Sequence, residues 1–181
     1  MRASVWIETQ GKSLLIDTAT DLRQQALRAK ILRIDAVLFT HPHADHVSGI
    51  DELRTWNFAQ KSRIPVYGNA WTCGELRSRY PYIFAPADGP AVGGGIPQLD
   101  LHEIDASSER LDVAGIEVRP ISLEHGRQEC VGFRTGPVAY VTDCQRIPPA
   151  SMERLRGLDV LVLDCLRVAA HDTHLHLSAA L

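Results

Sequence analysis

The sequence predicts a mixed α and β fold, an α+β domain, and three observations carry that prediction. Short apolar runs that read as strands recur along the chain, separated by turns such as Gln10-Gly11, Ala114-Gly115 and Thr135-Gly136-Pro137. Between them lie stretches where apolar residues return at helical spacing, as Leu22, Ala26 and Leu27 do. With 181 residues, 45% hydrophobic and 23% charged, the chain can bury a core of its own, and residues 1–181 read as one domain.

The chain opens with strand-like residues 3–8 and 13–17, a hairpin turning at Gln10 and Gly11, followed by a helix over 21–29. The next strand-like run, 36–39, leads straight into His41, His43, Asp45 and His46, four potential metal ligands within six positions. At an extended chain end, side chains two apart fall on one side, so His41 and His43 can point at a single ion. Asp45 and His46 need only a turn to reach a second. Val47, Ile50, Leu53 and Trp56 continue at helical spacing, which puts Asp45 near the start of a helix. With 8 His and 13 Asp in the chain, H-x-H-x-D-H arises by chance in roughly one such sequence in a thousand. A plain polar loop is therefore a poor account of it.

Residues 64–67 read as a strand entered through Pro65, and 68–79 as a helix with Gly74 inside it. The stretch 80–97, YPYIFAPADGPAVGGGIP, is too rich in Gly and Pro for a regular element and reads as a long loop, a substrate lid or a dimer contact. His102 lies in strand-like 98–104 without a ligand-like neighbour and reads as a strand histidine satisfied by a local hydrogen bond. Runs 111–113 and 116–122 lead to His125-Gly126. Runs 131–134 and 138–143 form another hairpin, whose alternation sets Asp143 on a face with Ala139 and Val141, away from Cys144. A short helix over 149–156 begins at Pro148-Pro149. Residues 159–163 read as a buried apolar strand ending at Asp164, after which come His171, His174 and His176. Leu175, Leu177 and Leu181 look like the start of a further helix.

Composition excludes several classes. The net charge of -3 is spread over mixed signs with no basic run, which counts against a nucleic-acid partner. No apolar run reaches the length of a membrane span, and MRASVWIETQ lacks the apolar region of a signal peptide, so the chain reads as cytoplasmic. Cys73, Cys130, Cys144 and Cys165 show no C-x-x-C spacing and read as buried free thiols. No G-x-S-x-G and no P-loop are present, and Gly93-Gly94-Gly95 neither follows a strand nor opens a helix.

T-H-P-H-A-D-H after an apolar strand resembles the signature of the metallo-β-lactamase-fold hydrolases. The resemblance implies a four-layer αββα sandwich with a dinuclear metal site at one edge. It assigns His41, His43 and His125 to a first ion, Asp45 and His46 to a second, and Asp143 of AYVTD to both as a bridge. It makes Asp17 a buttress of the metal loop, whereas the residues alone equally allow an Asp capping the next helix. Asp45 would also orient the attacking water, and His174 of D-T-H-L would stand at the rim to bind or protonate substrate. His171 and His176 read as surface histidines. Asp164 reads as a support of the site or an anchor of its loop.

The block GGGIPQLDLHEI further resembles the branch of phosphonate-pathway cyclic phosphodiesterases and pyrroloquinoline-quinone biosynthesis protein B. It implies a metal-dependent phosphodiesterase acting on a small cyclic or nucleotide-like phosphate ester through a hydroxide held between two ions. The rivals are a tRNA 3′-processing type nuclease, a β-lactamase-like or thioester hydrolase and, from another class, a non-catalytic scaffold with an incomplete site. His and carboxylate without thiolate suit Zn²⁺ at two sites and permit Mn²⁺ or Fe²⁺. Against the family pattern, a first strand upstream of Arg2-Ala3-Ser4 and a ligand histidine beyond Leu181 are expected to be missing. The second ion would then be weakly held unless His171, His174 or a partner chain, as in a homodimer, supplied a ligand.

Overall fold

The computed structural model describes residues 4–84 and 95–181. The chain resolves into two compact units, Met1–Ile104 and Asp105–Leu181, and each contains one five-stranded sheet.

In the first unit, β1 (Val5–Thr9) and β2 (Lys12–Ile16) form the expected hairpin, with Ile7 opposite Leu14. Gln10 and Gly11 both lie at positive φ, 50° and 71°. A left-handed pair of this kind matches the twist of the flanking strands. β3 (Ala36–Leu38), β4 (Ile64–Gly68) and β5 (Leu99–Glu103) then add in parallel, giving the order β1-β2-β3-β4-β5. Parallel neighbours need crossovers, supplied by α1 (Leu22–Ala29), by the helical stretch after β3, and by α4 (Ala70–Arg79). Leu15, Val37 and Val66 are register mates across β2, β3 and β4. They share one buried core with Leu22, Ile50, Leu53, Trp56 and Leu76.

The stripe Val47, Ile50, Leu53 and Trp56 is buried as its spacing predicts. It runs through three short pieces rather than one helix: α2 (Ala44–Val47), a 3-10 turn Ile50–Leu53, and α3 (Arg54–Gln60). The break falls at Ser48-Gly49. A Cβ on Gly49 would collide with the carbonyl oxygen of Ala19 and come to 3.0 Å from Leu22 Cβ, so the loop after β2 touches the chain there. The expectation of an irregular stretch over 80–97 is corrected at its start. Pro81–Phe84 forms a helical turn, α5, whose Ile83 enters the core while Tyr82 Oη donates to Asp51 Oδ2 at 2.8 Å. Most of the expected lid, residues 85–94, lies outside the described residues.

In the second unit, β6 (Leu111–Val113), β7 (Ile116–His125), β8 (Gln128–Thr135) and β9 (Val138–Val141) form an antiparallel meander. β10 (Val160–Leu163) adds to β9 in parallel. Two reversals make β7, β9 and β10 run the same way, so their carboxyl ends lie at one edge of this sheet. α6 (Pro149–Glu153) is shorter than expected and is tied to β7 by Ser151 Oγ donating to Ser122 O at 2.6 Å. α7 (Leu177–Ala180) is the helix start expected from the leucines.

Two strand expectations are corrected here. Val160, Leu161 and Val162 are exposed, not buried, at 49%, 42% and 44%. β10 is the edge of its sheet, and an all-apolar run is buried on both faces only where both faces are covered. β9 stops at Val141, and Asp143 lies past it at φ 49°, so strand alternation does not set its direction. Among the described residues, no helix is long and apolar enough to cross a membrane.

Candidate metal centre

The first unit gathers its candidate residues at the carboxyl ends of β2 and β3, the edge at which parallel sheets expose their loops. Asp17 follows β2 at φ 61° and is fully buried. Its Oδ1 accepts the Thr40 backbone N–H at 2.8 Å, and its Oδ2 accepts the Thr40 hydroxyl at 2.8 Å and His46 Nδ1–H at 2.7 Å. The Thr40 hydroxyl proton is thereby used, so the same oxygen accepts from His41 Nδ1 at 3.0 Å. Both imidazoles thus carry their proton on Nδ1 and turn an unprotonated Nε2 outward, the state in which a histidine ligates. Burial pushes the Asp17 carboxyl above its ordinary range, opposed by the bonds from His46 and Thr40. Asp17 is therefore a buttress of the histidine loop. It does not cap α1, whose N-cap position is Asp21.

His41 Nε2 and His43 Nδ1 lie 3.0 Å apart, so the two rings converge as their two-residue spacing predicts. Trp71 of α4 meets the His43 ring edge to face at 5.7 Å, and Arg79 of the same helix donates to Pro42 O at 2.6 Å. Neither brace was visible in the sequence, because each contact spans about thirty residues or more and follows no local periodicity. Asp45 is exposed in the first turn of α2, with its Oδ2 3.7 Å from His46 Nε2. His102 stacks on Tyr67 at 5.0 Å, a ring contact in place of the expected local hydrogen bond.

The second unit builds its own cluster at the carboxyl ends of β7, β9 and β10. His125 ends β7, is buried, and donates Nδ1–H to Thr173 O at 2.9 Å. Asp143 Oδ1 accepts the Thr142 hydroxyl at 2.8 Å. His174 Nδ1 lies 3.0 Å from Asp164 Oδ2, and the same oxygen accepts the backbone N–H of Cys144 at 3.2 Å and of Leu175 at 3.3 Å. Asp164 thus supports the histidine and anchors its loop at once. One ligand atom from each of His125, Asp143 and His174 fits within a span of 4.8 Å, so these three could hold an ion. His171 differs: its Nδ1 accepts the Thr173 backbone N–H at 3.2 Å, which leaves the proton on Nε2. Burial, with Asp164 and Asp143 nearby, pushes the Cys144 thiol up to about 12, so it stays a neutral packing group.

These donors fit a divalent cation. Imidazole nitrogens whose opposite nitrogen is already committed, together with carboxylate oxygens and no thiolate, are the set preferred by zinc and tolerated by manganese and iron. His41, His43, Asp45 and His46 stand together in the first unit, and His125, Asp143 and His174 in the second.

Similarity to known proteins agrees with this geometry. The solved structure of a diphosphatase from the PhnP family superposes with a TM-score of 0.87 at 40% identity, covering 99% of this chain and 66% of that one. Zn²⁺-bound PqqB from Methylobacterium extorquens superposes at 0.70 and 20% identity, covering 92% of this chain and 60% of that one, and so shares the fold. An octanoyltransferase of Porphyromonas gingivalis is 37% identical over 177 residues, 96% of this chain but 34% of that protein. A ribonuclease Z of Haloarcula marismortui is 29% identical over 144 residues, 78% of this chain and 41% of that protein. The chain therefore spans between about a third and two fifths of these curated relatives. A family model described as a beta-lactamase superfamily domain matches residues 12–181. By that match and by its likeness to these structures, the chain belongs to the beta-lactamase superfamily and has the metallo-β-lactamase fold.

Proposed function

We propose that residues 1–181 act as one catalytic domain, a divalent-metal-dependent hydrolase of a small cyclic or nucleotide-like phosphate ester. The observation that carries this reading is the 40% identity, along 99% of the chain, to a diphosphatase of the PhnP family. The oriented histidines support it. In this reading His41, His43 and His125 serve one ion, Asp45 and His46 a second, and Asp143 both. Bound ions would supply Lewis-acid activation of water and neutralise charge on the phosphoryl oxygens. The chain's own part is to hold His41, His46, His125 and His174 in ligating or donating tautomers, to orient water through Asp45, and to place His174 as acid or phosphate clamp.

Hydrolysis of bis(p-nitrophenyl) phosphate beside nitrocefin, with added Zn²⁺ or Mn²⁺, tests the proposal. Phosphodiester turnover that a chelator abolishes supports it. Nitrocefin turnover alone points to a lactamase-like activity, and bound metal with neither activity points to a scaffold. A nuclease reading is favoured by the ribonuclease Z match over 78% of the chain and opposed by the absence of a basic run. Cleavage of a precursor tRNA at its 3′ end, faster than that of bis(p-nitrophenyl) phosphate, would decide for the nuclease. The octanoyltransferase name belongs to a protein of which this chain matches 34%.

A further inference from the structure

We propose that the groove between α1 and α3 binds a single-chain amphiphile with an anionic head, such as a medium-chain fatty carboxylate. Its volume is about 620 Å³, inside the range of roughly 300–1,000 Å³ typical of small-molecule pockets. The floor is recessed and apolar: Ala26, Ile31 and Trp56 are buried to 6%, 9% and 6% exposure. Leu27 and Leu32 stand at the mouth, 61% and 84% exposed, so two leucines face outward beside an apolar groove. Trp56 donates its Nε1–H to Ile31 O at 3.0 Å. Its one polar atom is thereby consumed, and the indole offers the groove only an apolar surface.

Charge decides the kind of ligand. Arg23 and Leu27 lie one turn apart on α1, Lys30 is its left-handed C-cap, and all three line the groove, while Glu52 is the one acidic residue of the lining. Gly49 is packed on Leu22, and Trp56 reaches Ile31, so α1 and the helical stretch 50–60 run side by side in the same direction. This register puts Arg23 and Lys30 toward opposite ends of α1, so the lining carries two cations against the single carboxylate of Glu52. Among the described residues, Lys30 makes no ion pair. Arg23 makes none either, and an apolar groove with a net positive lining matches an acyl chain whose carboxylate pairs with Lys30, beside the mouth residues Leu27 and Leu32. A second copy of the chain is the competing occupant, but a recessed floor set against another copy's rim would leave unfilled space.

Decanoate, kept below its micelle-forming concentration, is titrated into the full chain and followed by tryptophan fluorescence and calorimetry. The expected result is saturable binding of one decanoate per chain. Lys30→Glu should weaken it by roughly tenfold or more, the loss of one charge-assisted contact. Ala59→Phe, at an exposed position of the lining, should block it while the melting temperature stays unchanged. Decyltrimethylammonium, with the same tail and the opposite charge, should not compete. Equal binding of both amphiphiles, or indifference to both substitutions, overturns the proposal. So does a chain that binds no decanoate but is dimeric by light scattering and becomes monomeric with Leu32→Glu, which would assign the groove to a second copy.

Discussion

One carboxylate oxygen of Asp164 holds His174 Nδ1 at 3.0 Å and also accepts the backbone N–H groups of Cys144 and Leu175. The first unit repeats the device, with Asp17 Oδ2 holding His46 Nδ1 at 2.7 Å while the same side chain takes the backbone N–H of Thr40. In each unit a strand-end aspartate fixes both the tautomer of a histidine and the path of the loop that carries it.

Asp164→Asn should therefore lower phosphodiester turnover by about 10–100-fold, the usual cost of losing a partner that orients a working histidine. Bound metal, measured by elemental analysis, should stay at the wild-type level. Loss of an ion in this variant or in His174→Ala would make His174 a ligand rather than an acid or clamp.

Asp17→Asn attacks the fold as well as the site. An amide cannot accept all three of the bonds that the buried carboxylate now accepts, so the metal-free protein should lose about 1–3 kcal/mol. Urea unfolding in the presence of chelator reads this. Zinc affinity should fall by about 10–100-fold in addition. An unchanged unfolding midpoint would show that the buttress is dispensable.

His41→Ala and His125→Ala test whether ligands from both units serve one ion. On the proposed reading each variant should lose an ion, and the double variant should lose no more than either single one, because two ligands of one ion are non-additive. If losses add ion by ion, the two histidines serve different metals.

Stability should depend on acid pH through Asp35. Burial pushes its carboxyl up, but Arg33 at 2.6 Å, the Ser13 N–H at 2.9 Å and Lys12 outweigh that effect and hold it below the ordinary range. A group depressed in the folded state contributes stability above its unfolded pKa, near 3.8, and loses it as pH falls through the folded value. Asp35→Asn should therefore cost about 1 kcal/mol at neutral pH, and the gap to wild type should close below pH ~4. A gap of the same size in strong acid would contradict this assignment.

Thiol chemistry gives an independent check of burial. Cys73, Cys130 and Cys144 are buried, and Cys165 is exposed, which corrects the reading of all four as buried. Burial pushes the Cys73 thiol up to about 11. Native protein should react with Ellman's reagent at Cys165 alone, and Cys165→Ser should abolish the reaction until the chain is unfolded. Fast labelling of the serine variant would mean that the unit carrying the labelled thiol, the first for Cys73 and the second for Cys130 or Cys144, opens readily.

What the sequence determined by itself was local. The spacing H-x-H-x-D-H is enough to converge His41 and His43, because side chains two apart on extended backbone share a side. The turn at Gln10-Gly11 and the buried stripe Val47, Ile50, Leu53 and Trp56 follow from equally short periodicities. The tertiary structure alone decided that Asp17 rather than Asp21 reaches His46, 29 residues away, that Trp71 and Arg79 brace the loop, and that the carboxyl ends of β7, β9 and β10 meet at one edge. It also decided that Val160–Leu163 is an exposed edge and that Asp143 turns at positive φ beyond its strand. Such outcomes depend on strand order and register, and those are set by which distant surfaces bury one another. A pattern of period two or 3.6 says which side of an element is apolar; it carries no record of the partner that covers that side.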